Sequence, residues 1–122
     1  MLLNKFFFIS SLEHYPSTVK AVVSLEPSHP VFEGHFPDLP IVPGVAMMQL
    51  VREILEVQVG RKFSITAVDN MKFLAVLNPL QNKQVEVSVT YAEEDGSVLV
   101  NASLFDGNVT FFKLVRATFQ YT

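Results

Sequence analysis

Residues 43–60 read PGVAMMQLVREILEVQVG, and this stretch decides the fold. Pro43 stands where a helix needs no backbone N–H, and Gly60 stands where a left-handed residue commonly ends one. The residues between them are apolar on nearly every face over the first two turns. Such a pattern is typical of a buried helix, so we predict that the rest of the chain wraps around it.

The sequence on both sides of this helix has the patterns of the β-strands that would surround it. From residue 83 to 122, apolar and polar residues alternate, and Asp95-Gly96 and Asp106-Gly107 mark tight turns. This region therefore predicts three antiparallel strands. Further strands are predicted in residues 5–12, 18–25 and 63–77, the last as one long strand or two short ones. One buried helix with an antiparallel sheet of five to seven strands predicts an α+β fold with the sheet curled round the helix.

Composition narrows the class of protein. The chain has 122 residues, 49% of them hydrophobic, which predicts a single domain spanning residues 1–122. A net charge of −3 argues against nucleic acid as the main partner. No cysteine occurs, which excludes disulfides, thiolate metal ligands and a cysteine nucleophile. No apolar run approaches the length of a membrane span, so we expect a soluble cytoplasmic protein without membrane insertion.

The segment before the helix is predicted to be rigid and carries a histidine. Five prolines lie between residues 27 and 43, and each fixes its backbone φ angle. His35 sits in the middle of this segment, within Gly34-His35-Phe36-Pro37. A histidine that titrates near neutrality can both take and return a proton, so a rigid mount for one suggests acid–base chemistry.

This segment resembles the 3-hydroxyacyl-acyl-carrier-protein dehydratases, which have the hotdog fold. The matching pattern is Phe32-x-Gly34-His35-Phe36-Pro37-x-x-Pro40-x-x-Pro43-Gly44-Val45, and residues 65–73 look like the first strand after the family's helix. The resemblance implies a sheet wrapped round one central helix and an active site between the two subunits of a dimer. We expect a homodimer, with a trimer of dimers as the alternative.

The resemblance also implies roles for particular residues. His35 matches the general base that moves the α-proton of a 3-hydroxyacyl thioester, and Gly44 matches the glycine whose N–H binds the thioester carbonyl. A helix N-terminus suits that second task because its N–H groups are unpaired and its dipole end is positive. We expect the substrate to contact five residues: Phe36, Pro43, Val45, Met48 and Phe73.

No metal or dissociable cofactor is expected, because the acyl group arrives on the phosphopantetheine arm of acyl carrier protein or of coenzyme A. An acidic carrier protein needs a basic docking patch. Arg61, Lys62 and Lys72 are the candidates, with ordinary solvated surface charge as the alternative.

The helix departs from the family pattern at two positions. The family has a carboxylate fourteen residues after the histidine and a glutamine one turn later, whereas this chain has Gln49 and then Glu53. An amide cannot transfer a proton, so Gln49 is expected only to line the site and hold a hydroxyl or water. Glu53 either supplies the acid through a shifted substrate or bridging water, or belongs to a solvent-facing stripe in which Arg52 pairs with Glu56.

Three functions remain open at this point. The first is a hydro-lyase that converts a 3-hydroxyacyl thioester to the trans-2-enoyl thioester in fatty-acid or related lipid biosynthesis. The second is a thioesterase of the same fold. The third is a non-catalytic subunit that binds acyl chains or pairs with a homologue supplying the missing acid. Fold alone does not choose between them.

Overall fold

The computed structural model describes residues 1–30 and 41–122. Its elements in chain order are β1 (Phe7–Tyr15), β2 (Thr18–Leu25), α1 (Gly44–Val59), β3 (Phe63–Phe73), β4 (Gln84–Glu94), β5 (Ser97–Asp106) and β6 (Val109–Tyr121). The strands form one six-stranded sheet in the order β1-β2-β4-β5-β6-β3, with antiparallel neighbours throughout. The predicted α+β architecture, a curled antiparallel sheet around one helix, is confirmed.

The core lies between helix α1 and the inner face of the sheet. Alternate residues of each strand point to one face, which is why every second position is buried in β2, in β4 up to Val89 and in β5 up to Leu104. These positions share one core cluster with the apolar side chains of the helix. The buried helix residues are Ala46, Met47, Leu50, Val51, Ile54 and Leu55, and the central strands add Val19, Ala21, Val23, Val85, Val87, Val89, Val98, Val100 and Leu104.

The ends of helix α1 follow the predicted signals. Pro43 is the N-cap residue with extended backbone angles, φ −65° and ψ 149°. Gly60 ends the helix in the left-handed conformation, φ 77°, and its N–H donates to the Glu56 carbonyl at 2.8 Å. A side chain at Gly60 would be strained, which explains the glycine.

The segment after β3 fixes the approach to the helix. Where one long strand or two short ones were predicted over residues 63–77, the chain forms one strand that ends at Phe73. The Leu74 N–H then donates to the Phe111 carbonyl at 2.9 Å. Further on, the Leu77 carbonyl accepts a hydrogen bond of 3.0 Å from the Val42 N–H. The chain entering the helix is therefore tied to the chain leaving β3.

One end of the helix and one edge of the sheet are rich in exposed apolar groups. Strand β3 is an edge strand whose only described neighbour is β6. Near its carboxyl end the exposed apolar side chains are Val45, Met71, Phe73, Leu74 and Val76. Within residues 1–30 and 41–122, no helix is both long and apolar enough to cross a membrane.

Candidate active site

The N-terminus of helix α1 presents backbone donors that no described residue pairs. The Ala46 and Met47 N–H groups both donate to the Pro43 carbonyl, at 3.0 and 3.2 Å. The N–H groups of Gly44 and Val45 have no partner among the described residues, and no side chain caps the helix. This end can therefore bind a partly negative oxygen, because these two donors and the positive end of the helix dipole coincide there.

Gly44 is in close contact with an aromatic ring. A Cβ atom built on Gly44 would lie 2.6 Å from Cζ of Phe73 and closer still to its Cε1 atom. Phe73 and Gly44 line a cleft of about 360 Å³ with Ile41, Met47 and residues 74–77, which we call the Phe73 cleft. Glycine is therefore needed at position 44 for the ring to lie against the first turn of the helix.

A second cleft opens on the neighbouring face of the helix. It holds about 200 Å³ and is lined by Val45, Met48, Gln49, Arg52 and Ile65. We call it the Gln49 cleft. The expected site residues Val45, Met48 and Gln49 therefore lie together, whereas Gly44 and Phe73 line the Phe73 cleft. His35 and Phe36, the base and a substrate contact of the sequence-based prediction, lie outside the described residues.

Glu53 is fully buried behind Gln49, with 0% of its side chain exposed. Its carboxylate accepts hydrogen bonds from the Leu2 N–H, at 2.9 and 3.0 Å to its two oxygens, and from the Leu3 N–H at 2.9 Å. It also accepts one from Nε2 of Gln49 at 2.9 Å. Helix side chains lean towards the N-terminus, which is how Glu53 reaches back to Gln49. Glu53 thus joins the N-terminal segment to the helix.

These contacts decide the protonation state of Glu53. Burial is the largest single influence and would raise its pKa. The hydrogen bonds from Leu2, Leu3 and Gln49, together with the positive charge of the Met1 amino group, outweigh burial and lower the pKa of Glu53 below its ordinary value. The carboxylate is therefore ionised at neutral pH.

The predicted solvent-facing stripe on the helix is wrong. Glu53 is 0% and Glu56 only 9% exposed. Arg52 and Glu56 both bind the backbone of Phe63: Nη1 of Arg52 donates to its carbonyl at 3.4 Å, and the Phe63 N–H donates to Oε2 of Glu56 at 2.8 Å. The buried acids satisfy backbone N–H groups of neighbouring segments, a need that helical spacing does not reveal.

The part of Glu53 in joining the N-terminal segment to the helix was missed by the sequence analysis. One signal was available, because Glu53 lies directly before Ile54 and Leu55 on a helix that is apolar on most faces. A lone acid in that setting is either exposed on the narrow polar face or buried with partners. The catalytic role of Glu53 stays a prediction.

The three basic residues that were expected to dock a carrier protein also have defined places. Arg61 lies over the Tyr121 ring at 3.9 Å, while Lys62 and Lys72 are exposed.

Comparison with known families identifies the family to which the chain belongs. The pattern of the ApeI-like family, described as ApeI dehydratase, matches residues 11–110. The chain belongs to this family. It is thus a dehydratase-like protein of the hotdog fold, as the resemblance implied.

Individual relatives of this ApeI-like chain are distant in sequence. The 3-hydroxyacyl-[acyl-carrier-protein] dehydratase FabZ of Geobacter metallireducens is 26% identical over 118 residues, covering 88% of this chain and 79% of the relative. FabZ of Actinobacillus succinogenes is 24% identical over 99 residues, covering 75% of this chain. The chain spans 66% of the length of that relative.

A solved structure agrees on the fold of the ApeI-like chain. The dehydratase heterocomplex ApeI:P from Xenorhabdus doucetiae contains a chain that superposes with a TM-score of 0.71. The match covers 93% of this chain and 96% of that one, at 19% sequence identity. At this identity the likeness establishes the hotdog fold and does not extend to substrate.

The contact between Gly44 and Phe73 predicts that their substitutions are coupled. Gly44→Ala should destabilise the protein because the new methyl group displaces the ring. In a Phe73→Ala background the same change should be neutral or stabilising by up to about 1 kcal/mol, since alanine favours the helix. A double-mutant cycle of urea unfolding measures the coupling. Additivity of the two changes within about 0.5 kcal/mol would mean that the contact is absent.

The lowered pKa of Glu53 predicts how stability depends on pH. A carboxyl whose folded pKa lies below its unfolded value stabilises the fold above the unfolded pKa, and the contribution is lost as the pH falls through the folded pKa. Glu53→Gln should therefore lower the free energy of unfolding by about 2 kcal/mol at pH 7 and by progressively less below about pH 4.

Urea unfolding of wild type and Glu53→Gln at pH 7 and in acid measures this difference. Glu86→Gln, at an exposed position of β4, is the control and should change stability little at either pH. A Glu53→Gln effect of equal size at both pH values would contradict ionisation of the buried carboxylate.

Proposed function

We propose that this protein is a 3-hydroxyacyl thioester dehydratase that forms the trans-2-enoyl thioester. The observation that carries the proposal is the uncapped start of helix α1, where the N–H groups of Gly44 and Val45 are without a described partner beside the Gln49 cleft. Family membership favours the same reaction. We place it in fatty-acid or related lipid biosynthesis in the cytoplasm, and we expect no metal or dissociable cofactor.

The helix N-terminus is proposed to hold the thioester carbonyl. Removal of the α-proton moves negative charge onto the carbonyl oxygen. Donors fixed in the helix backbone stabilise that charge without having to reorganise. Gly44 supplies the first such N–H group, and Val45 the second. The acyl chain is proposed to follow the apolar surface that Val45, Met48 and Ile65 provide in the Gln49 cleft.

His35 is proposed to carry the proton through the whole reaction. It takes the proton from the α-carbon, the electrons of that C–H bond form the double bond, and the bond from the β-carbon to oxygen breaks. The departing hydroxyl group receives the proton from His35 and leaves as water. Gln49 has no proton to transfer, and Glu53 is an ionised, buried acceptor. One histidine performing both transfers therefore fits this chain.

Carrier protein and subunit partners form part of the proposal. The phosphopantetheine arm is proposed to arrive on acyl carrier protein, with coenzyme A as the alternative. Lys62 and Lys72 are exposed and can meet an acidic carrier, whereas Arg61 is held over Tyr121. The edge of β3 and the apolar side chains beside it favour a homodimer through that edge, with a trimer of dimers as the alternative.

A second candidate is a subunit that binds acyl chains without turning them over. The observation in its favour is that Gln49, which lines the Gln49 cleft, is an amide, while Glu53 is engaged by the N-terminal segment. A homologous chain would then supply the missing acid.

One assay separates these functions. Purified protein is incubated with 3-hydroxyacyl thioesters of carrier protein and of coenzyme A, and enoyl product and free thiol are followed separately. We expect enoyl product without thiol, and faster turnover of the carrier-protein substrate. His35→Ala should lower turnover at least about a hundredfold. His14→Ala, at an exposed position of β1, is the matched control and should leave turnover unchanged.

Thiol release without enoyl product would instead identify a thioesterase. Neither product, with acyl-carrier binding retained, would identify a non-catalytic subunit. Full activity of His35→Ala would refute the proposed base.

A further inference from the structure

The amide of Gln49 is held in one orientation by its neighbour. Its two ends differ chemically: Nε2 donates hydrogen bonds and Oε1 accepts them. The atom that faces Oε2 of Glu53 at 2.9 Å must be the nitrogen, because an ionised carboxylate only accepts. Oε1 is then the end of the amide turned away from Glu53.

Glu53 is well placed to impose this orientation because it is itself fixed. Two backbone N–H groups of the N-terminal segment, from Leu2 and Leu3, hold both of its oxygens at 2.9 to 3.0 Å. None of its side chain is exposed. An immobile acceptor on one side of Gln49 leaves its amide little freedom to rotate or flip.

We infer that Glu53 is a positioning residue that turns the Gln49 carbonyl oxygen towards the β-hydroxyl group of the substrate. The inference rests on the proposed dehydratase function and assigns a role to the exchanged pair. The substrate hydroxyl donates its hydrogen to Oε1 of Gln49. The lone pairs of the hydroxyl oxygen then stay free to receive the proton from His35, after which water departs.

This arrangement explains why the amide and the acid occur as a pair. A glutamate at position 49 would stand against the ionised Glu53, at the distance now spanned by a hydrogen bond. Two carboxylates in contact cannot both ionise without strong repulsion. An amide at position 49 avoids this repulsion and uses the carboxylate as an orienting partner. Gln49→Glu alone is therefore expected to lower the rate of dehydration rather than to raise it.

The test compares two buried acids of the same helix. Glu53→Gln keeps the shape of the side chain but removes the obligatory acceptor, so that Gln49 can flip. Glu56→Gln is the matched control, because Glu56 is also buried and also accepts from a backbone N–H, that of Phe63. Its side-chain partner is Lys62, at 4.0 Å, rather than Gln49. Both variants should lose stability. Only Glu53→Gln should change the orientation of the Gln49 amide.

The first readout is spectroscopic and needs no turnover. The side-chain NH₂ signals of Gln49 in a ¹⁵N–¹H spectrum are assigned by their loss in Gln49→Leu. We expect one of the two protons to be shifted downfield by its bond to Glu53, and this shift to collapse in Glu53→Gln while it persists in Glu56→Gln. Unchanged Gln49 signals in Glu53→Gln would overturn the inference.

The second readout is kinetic. Glu53→Gln should lower kcat about tenfold or more, because a misplaced hydroxyl contact is felt in the reaction step. KM should stay within about twofold, since the thioester and acyl contacts remain. Glu56→Gln should keep kcat within about twofold. An equal loss of kcat in both variants would mean that Glu53 is merely structural. Absence of turnover in the wild type would refute the proposed function, and the spectroscopic readout would still decide the orientation of Gln49.

Discussion

The rest of the structure depends on the need to bury helix α1. Its apolar residues cover most of its circumference, so a flat sheet on one side would leave much of them in water. A curled sheet of six antiparallel strands solves this, because its buried side chains and those of the helix form one core cluster. The start of the helix is reachable, because Val45 is exposed. The N–H groups of Gly44 and Val45, which have no partner among the described residues, are fixed in the helix backbone, as a thioester site requires.

Burial of most of a helix also leaves its buried polar residues in need of partners. Glu53 and Glu56 meet this need by accepting hydrogen bonds from the backbone of Leu2, Leu3 and Phe63. These acids join the helix to the segments before β1 and at the start of β3. The acid at position 53 also accepts a hydrogen bond from the amide at position 49. Under the proposed mechanism, this one side-chain pair therefore serves both the packing of the helix and the placing of the substrate hydroxyl group.

Most of the fold could be predicted from the sequence because its signals are local. The helix bounds follow from Pro43 and Gly60, and the hairpin after β4 follows from Asp95 and Gly96, whose φ angles of 41° and 82° are left-handed. The exposure of the helix acids was predicted wrongly for a physical reason. Their backbone partners lie 7 to 51 residues away in the sequence, and helical spacing carries no information about such contacts. The contact of Phe73 with Gly44 is equally non-local.

The central claim is that the start of helix α1 binds the thioester carbonyl. The most direct measurement follows the backbone amide signals of ¹⁵N-labelled protein on titration with a stable amide analogue of a 3-hydroxyacyl pantetheine thioester. The account predicts that the Gly44 amide proton moves strongly downfield, with Val45 also affected, while Ser88 and Ser103 of strands β4 and β5 do not move. Large shifts at Ser88 and Ser103 with an unmoved Gly44 would contradict it.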